Sequence, residues 1–117
     1  MRPPVISVIF SVYNGAAYVK EAIASILNQT YANFEFIIVD DGSTDATPQI
    51  LNEFTDARIV RLRNEKNVGL VTSLNKALSI AQGELVARMD ADDISLPDRF
   101  QKQVAYLAQH PEVGVAG

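Results

Sequence analysis

The chain contains no cysteine and a single histidine in 117 residues. Without cysteine there is neither a disulfide framework nor a thiolate metal site, which is compatible with a reducing compartment. The one histidine, His110, precedes Pro111 at an expected helix end, where a contact with the helix dipole accounts for it. No histidine lies near a polar strand-end serine, so a serine–histidine–acid triad is excluded. Basic residues are also scarce: ten Lys and Arg stand against 14 Asp and Glu, a net charge of −4. That balance argues against a nucleic-acid backbone as partner. The basic residues are scattered, apart from a short run at Arg58, Arg61, Arg63 and Lys66. No stretch is apolar for long enough to cross a bilayer. Arg2, the apolar run 5–12 and Gly15-Ala16-Ala17 have the outline of a secretion signal. The β-branched run, its Pro3-Pro4 opening and the helical pattern directly after it argue against that reading.

What is present is an ordinary globular balance, 48% hydrophobic and 21% charged, sufficient for one domain. Short apolar runs alternate with longer amphipathic ones. Residues 5–12 read as a buried strand. Asn14 is placed to cap a helix carrying Ala16, Val19, Ala22, Ile23, Ile26 and Leu27 at helical spacing. Residues 34–39 form a second strand, 40–45 a turn, and Ser43 or Thr44 is expected to cap a helix through Ile50, Leu51 and Phe54. Residues 58–63 alternate as a half-exposed or edge strand does. Leu70, Leu74, Ala77, Leu78 and Ala81 make a further helical stripe with Gly83 as its stop, and 85–89 form a fourth strand. Ser95 and Asp98 resemble a capping box for a helix burying Phe100, Val104 and Leu107, and Val113 opens a fifth strand. This pattern predicts an α/β fold: a mostly parallel sheet with helices on both faces.

In such sheets ligands bind beyond the carboxyl ends of the strands, near a topological switch point. Three polar clusters fall there: Ser11 to Asn14, Asp40 to Asp45, and Asp90 to Asp93. The carboxylates of Asp90, Asp92 and Asp93 repel one another, and a cation is their natural partner. Hard oxygen donors point to Mg²⁺ or Mn²⁺ completing its shell with substrate phosphate oxygens. Asp40, at the end of an apolar strand, is suited to accept a hydrogen bond from a base or ribose. Asp45 reads as a plain helix-start residue. Tyr13 either borders a base or closes the core edge. Asn67-Val68-Gly69 is either an anion-binding turn or a cap. Arg88 shares a strand face with Asp90 and either meets a phosphate or balances Asp40 or Asp92.

Four segments in order now resemble family 2 glycosyltransferases of the GT-A fold. They are Val5-Ile6-Ser7-Val8-Ile9-Phe10-Ser11-Val12-Tyr13-Asn14, Ile37-Ile38-Val39-Asp40-Asp41-Gly42-Ser43-Thr44-Asp45, Asn67-Val68-Gly69-Leu70, and the run from Gly83 to Asp93. The stretch from Ile94 through Pro111 is similar to a bacterial surface-polysaccharide branch of that family. The resemblance implies a Rossmann-like sheet and inverting transfer of a sugar from a nucleotide diphosphate, most often a UDP-sugar. Ser11 and Tyr13 would line the base pocket, and Asp40 would bind uracil. Asp90 would contact the ribose or sugar. From the residue pattern itself, Asn67 and Arg88 are added as nucleotide-site candidates. Asp92 would hold Mn²⁺ or Mg²⁺ on the diphosphate, with Asp93 beside it. The acceptor would be a glycan or lipid-linked sugar, and no nucleic acid is implicated. The family's general base is expected beyond Gly117, so residues 1–117 are expected to be the donor-binding part, truncated before the acceptor part. Such a piece binds nucleotide without efficient turnover, and its open strand edge and uncovered apolar surface favour self-association. The expected location is cytoplasmic, with the full-length protein at the inner membrane face if it carries an anchor.

A phosphoacceptor receiver module is the alternative class, having five strands and an acidic metal pocket. It needs an acid at the end of the third strand, where this chain has Arg61-Leu62-Arg63. A haloacid-type phosphatase needs its Asp-x-Asp after an early strand, and a nucleotidyltransferase needs a glycine-rich loop after the first. Neither is present.

Overall fold

The computed structural model describes residues 5–29, 32–90 and 102. Its elements run β1 (Ile6–Val12), α1 (Val19–Leu27), β2 (Phe34–Asp41), α2 (Thr47–Asn52), β3 (Ile59–Asn64), α3 (Leu70–Ile80) and β4 (Leu85–Asp90). The four strands make one parallel sheet in the order β3-β2-β1-β4. β1 is central, and all seven of its residues are buried. A strand covered on both faces has no polar side to show, which is why it reads as a nearly continuous apolar run.

The two faces are filled by alternate residues. Ile6, Val8, Phe10 and Val12 of β1 join Phe34, Phe36 and Ile38 of β2 in the larger core, under Val19, Ala22, Ile23 and Ile26 of α1 and Leu51 of α2. Phe10 and Phe36 meet edge to face, with ring centroids 5.6 Å apart. On the opposite face, Ile9, Ile37 and Val39 pack with Ala77 and Leu74 of α3. Helices therefore cover both faces, as the alternation predicted.

Three local expectations are corrected. Asn14 does not cap α1, which begins five residues later at Val19. Asn14 adopts φ 50° and turns its side chain to the neighbouring loop, where Oδ1 accepts from Thr44 N–H at 2.7 Å. α2 is capped by neither Ser43 nor Thr44: Asp45 Oδ1 accepts from Thr47 N–H at 2.9 Å. The hydrogen bond from Thr47 holds the Asp45 carboxyl below its ordinary value, in keeping with its reading as a helix-start residue. Gly83 does not stop α3, which ends at Ile80 with Ala81 already extended. Gly83 is pressed against β1, and a Cβ there would lie 2.6 Å from Ser7 N. The proposed capping box, fourth helix and fifth strand lie outside the described residues.

That close approach belongs to a polar tie at the amino ends of the strands. Ser7 Oγ accepts from Gly83 N–H at 2.7 Å and donates to Glu35 Oε2 at 2.5 Å. The same Glu35 oxygen accepts from Gln82 N–H at 2.5 Å. Ser7 is fully buried, and Ser7→Ala removes both the acceptor of the partly buried Gly83 N–H and the donor to Glu35, so it is expected to cost about 2 kcal/mol in urea unfolding. An unchanged urea midpoint would show that the tie contributes nothing.

The first member of the basic run is consumed in a similar way. Arg58 pairs with Asp56 at 2.8 Å and lies 4.3 Å over the Phe34 ring. The hydrogen bond from Arg58 lowers the Asp56 carboxyl to about 2.

Candidate functional site

β2 lies on one side of β1 and β4 on the other, so the switch point falls between the carboxyl ends of β1 and β4. Neighbours across a parallel pair share a face. Register pairs Ile9 with Arg88 and Ser11 with Asp90, and Ile9 belongs to the core under α3. Ser11 and Arg88 therefore occupy the α3 face, and Asp90 is the register partner of Ser11 at the end of β4. Tyr13 follows β1 directly and is 45% exposed. Asn67 is exposed in the loop before α3.

α3 runs back along the sheet, so its first turn stands at the same rim. The two N–H groups just before it are held by Asp41. Oδ1 accepts from Val68 N–H at 2.9 Å and Oδ2 from Gly69 N–H at 3.0 Å. Asn64 Nδ2 donates to Asp41 Oδ1 at 2.9 Å and lies 3.0 Å from Ser73 Oγ, while Lys76 Nζ donates to Asn64 Oδ1 at 2.9 Å. Burial pushes the Asp41 carboxyl up, but hydrogen bonds from Val68, Asn64, Gly69 and Ser73 outweigh it and hold the carboxyl below its ordinary value. Asp41 is thus a buried carboxylate that fixes the Val68-Gly69 backbone at the entry to α3.

Asp40 is not brought together with these residues. In β2 the positions alternate, with Phe36 and Ile38 facing α1 and α2 while Ile37 and Val39 face α3. Asp40 continues the first set and Asp41 the second. Asp40 Oδ1 accepts from Ser43 N–H at 3.0 Å. Sequence reading settled on Asp40 because it ended the strand at Val39. The strand runs two residues further, and continued alternation was the available signal for Asp41. Asn64, Ser73 and Lys76 carried no local signal, since their role exists only through contacts across the fold.

The loops after β1 and β2 are clasped. Asn14 N–H donates to Ser43 Oγ at 2.9 Å, Gly15 N–H to Thr47 Oγ1 at 2.9 Å, and Ala16 N–H to Asp45 Oδ2 at 3.1 Å. Tyr13 is thereby tied to the turn after β2. Asp92 and Asp93 lie outside the described residues, among which no three His, Cys, Asp or Glu gather as a metal site. No helix among the described residues is long and apolar enough to cross a membrane.

A parallel sheet with polar loops and a helix N-terminus gathered at its switch point defines a nucleotide-binding α/β domain. The signature described as glycosyl transferase family 2 spans residues 7–117, and the chain belongs to that family. Its fold is the Rossmann-like GT-A type. It is 44% identical over 117 residues to the putative glycosyltransferase EpsE of Bacillus subtilis, covering 97% of this chain and 42% of that protein. Among solved structures it is similar to S. aureus TarS 1–349 in complex with UDP-GlcNAc. The TM-score is 0.85 and the identity 32%, covering 90% of this chain and 31% of that one. It is also similar to the mannosyltransferase PcManGT of Pyrobaculum calidifontis in complex with GDP-Man and Mn²⁺. There the TM-score is 0.83 and the identity 30%, covering 92% of this chain and 33% of that one. The chain thus spans under half the length of each of these relatives.

Proposed function

We propose that this chain is the donor-binding part of an inverting glycosyltransferase that takes a UDP-sugar with a divalent metal. The acceptor is a glycan or a lipid-linked sugar in cell-surface polysaccharide synthesis. The observation that supports this reading is the register of Ser11 against Asp90 at the carboxyl ends of β1 and β4, the switch point of the sheet. In this reading Tyr13 borders the base and Ser11 lines its pocket. Asp41, on the same face, accepts a base N–H in the role first expected of Asp40. Asn67 and Arg88 meet the ribose and phosphates, and Asp90 the ribose or sugar.

Asp92 and Asp93 would hold Mn²⁺ or Mg²⁺. The fit rests on donor chemistry: in the sequence the pair comes one residue after the end of β4, where Asp90 is the register partner of Ser11, and all-oxygen carboxylate ligands suit these ions. When bound, the metal offsets the negative charge gathering on the departing diphosphate.

The test is calorimetric titration of UDP, with and without Mn²⁺, into the chain and its Asp92→Ala variant, with GDP as the competing nucleotide. Expected is metal-dependent UDP binding that Asp92→Ala weakens by about a hundredfold, the scale of a lost metal ligand. Equal binding without metal would remove the metal role. Preference for GDP would remove the uracil assignment.

A further inference from the structure

A second pocket lies on the other face of the sheet, at its β3 edge. It encloses about 480 Å³, within the range of small-molecule sites. Register places Asp40 beside Arg63 and Ile38 beside Arg61, and Asp40, Arg61 and Arg63 line the pocket together with Leu51 and Asn52 of α2. Asp40 is 2% exposed, and its Oδ2 is buried without a hydrogen-bond donor among the described residues. A buried acceptor left unmatched is costly and is itself an incentive to bind a donor group. Arg61 and Arg63, by contrast, are exposed, two of the four residues in the chain's one basic run. Arg61 is braced by a hydrogen bond to Asn52 Oδ1.

We propose that this pocket is a second ligand site, which takes a hydroxylated phosphate ester such as a sugar or polyol phosphate. The guanidinium forks of Arg61 and Arg63 receive the phosphate. A hydroxyl donates to Asp40 Oδ2, which a small rotation about the soft terminal torsion of Asp40 presents to the pocket. The apolar side of Leu51 backs the carbon skeleton. The site also communicates with the donor rim. Asp40 Oδ1 holds Ser43 N–H, and Ser43 Oγ holds the N–H of Asn14, next to Tyr13. An occupant that fixes Asp40 therefore steadies the loop bordering the nucleotide.

The test titrates glucose 1-phosphate, inorganic phosphate and phosphatidylglycerol vesicles separately into the chain, the Arg61→Ala/Arg63→Ala double variant and Asp40→Asn. Circular dichroism checks that each variant is folded. Expected is saturable binding of glucose 1-phosphate, at least about tenfold tighter than inorganic phosphate, since a hydrogen bond to a charged group is worth that much. The double arginine variant should lose both ligands. Asp40→Asn should keep phosphate binding and lose the preference for the sugar ester. Vesicle binding in place of glucose 1-phosphate would assign the phosphate to a lipid headgroup and overturn the soluble ligand. Wild-type chain that binds neither ester, or binding indifferent to the arginines, overturns the proposal. Neither result touches the donor-site reading, which the UDP titration tests separately.

Discussion

Asp41→Ala is expected to lower unfolding stability by about 3 kcal/mol, because it removes the acceptor for several donors at once. Val68 N–H, Gly69 N–H and Asn64 Nδ2 all end on this carboxylate. The two backbone groups lie just before α3, outside the helix's own hydrogen-bond ladder. The loss should appear as a lower urea midpoint. UDP affinity should fall by at least about tenfold in the same variant, as befits a lost charged hydrogen bond. The pH dependence has a definite sign. The Asp41 carboxyl is held below its ordinary value of 3.8, so its contribution is complete above that value and is lost as pH falls through the lower folded-state value. Wild type should therefore lose part of its advantage over Asp41→Ala on acidification below 3.8. A difference between the two that is flat with pH would mean that the carboxylate's charge is not what binds the loop.

The fate of the two adjacent aspartates shows what the sequence carries and what it hides. The sheet was legible because β1 and the apolar part of β2 are covered on both sides and so appear as unbroken apolar runs. The rim was legible because polar residues cluster where those runs stop. Which aspartate faces the rim was not legible from the point where apolar character ends. In a strand a one-residue error in the end point exchanges the two faces, and β2 continues through Asp40 and Asp41. Asn14 misled for a different reason. Its side chain suits a cap, and it does cap N–H groups, but they belong to Thr44 and Asp45, thirty residues away. Local pattern names the chemistry of such a residue. Only the packing of β1 beside β2 names its partner.

Gly42→Ala should act on the same loop from the opposite side. Gly42 turns the chain out of β2 with φ 74°, a left-handed conformation in which a side chain is strained. A Cβ there would also stand 2.4 Å from Lys66 C and 2.6 Å from Asn67 N. Both are backbone atoms, so no rotamer change relieves the overlap, and the 66–67 segment itself has to move. Strain and overpacking together are expected to cost about 3 kcal/mol. Because Val68 and Gly69 follow immediately, that movement should also loosen their hydrogen bonds to Asp41 and weaken UDP binding. The Gly42→Ala/Asp41→Ala pair then provides a check on the mechanism. If both changes work by releasing one loop, the double variant should lose less stability than the two single losses added. Strict additivity in urea unfolding would mean that the glycine and the carboxylate act independently, and that the 66–69 loop is held by something other than its grip on the turn after β2.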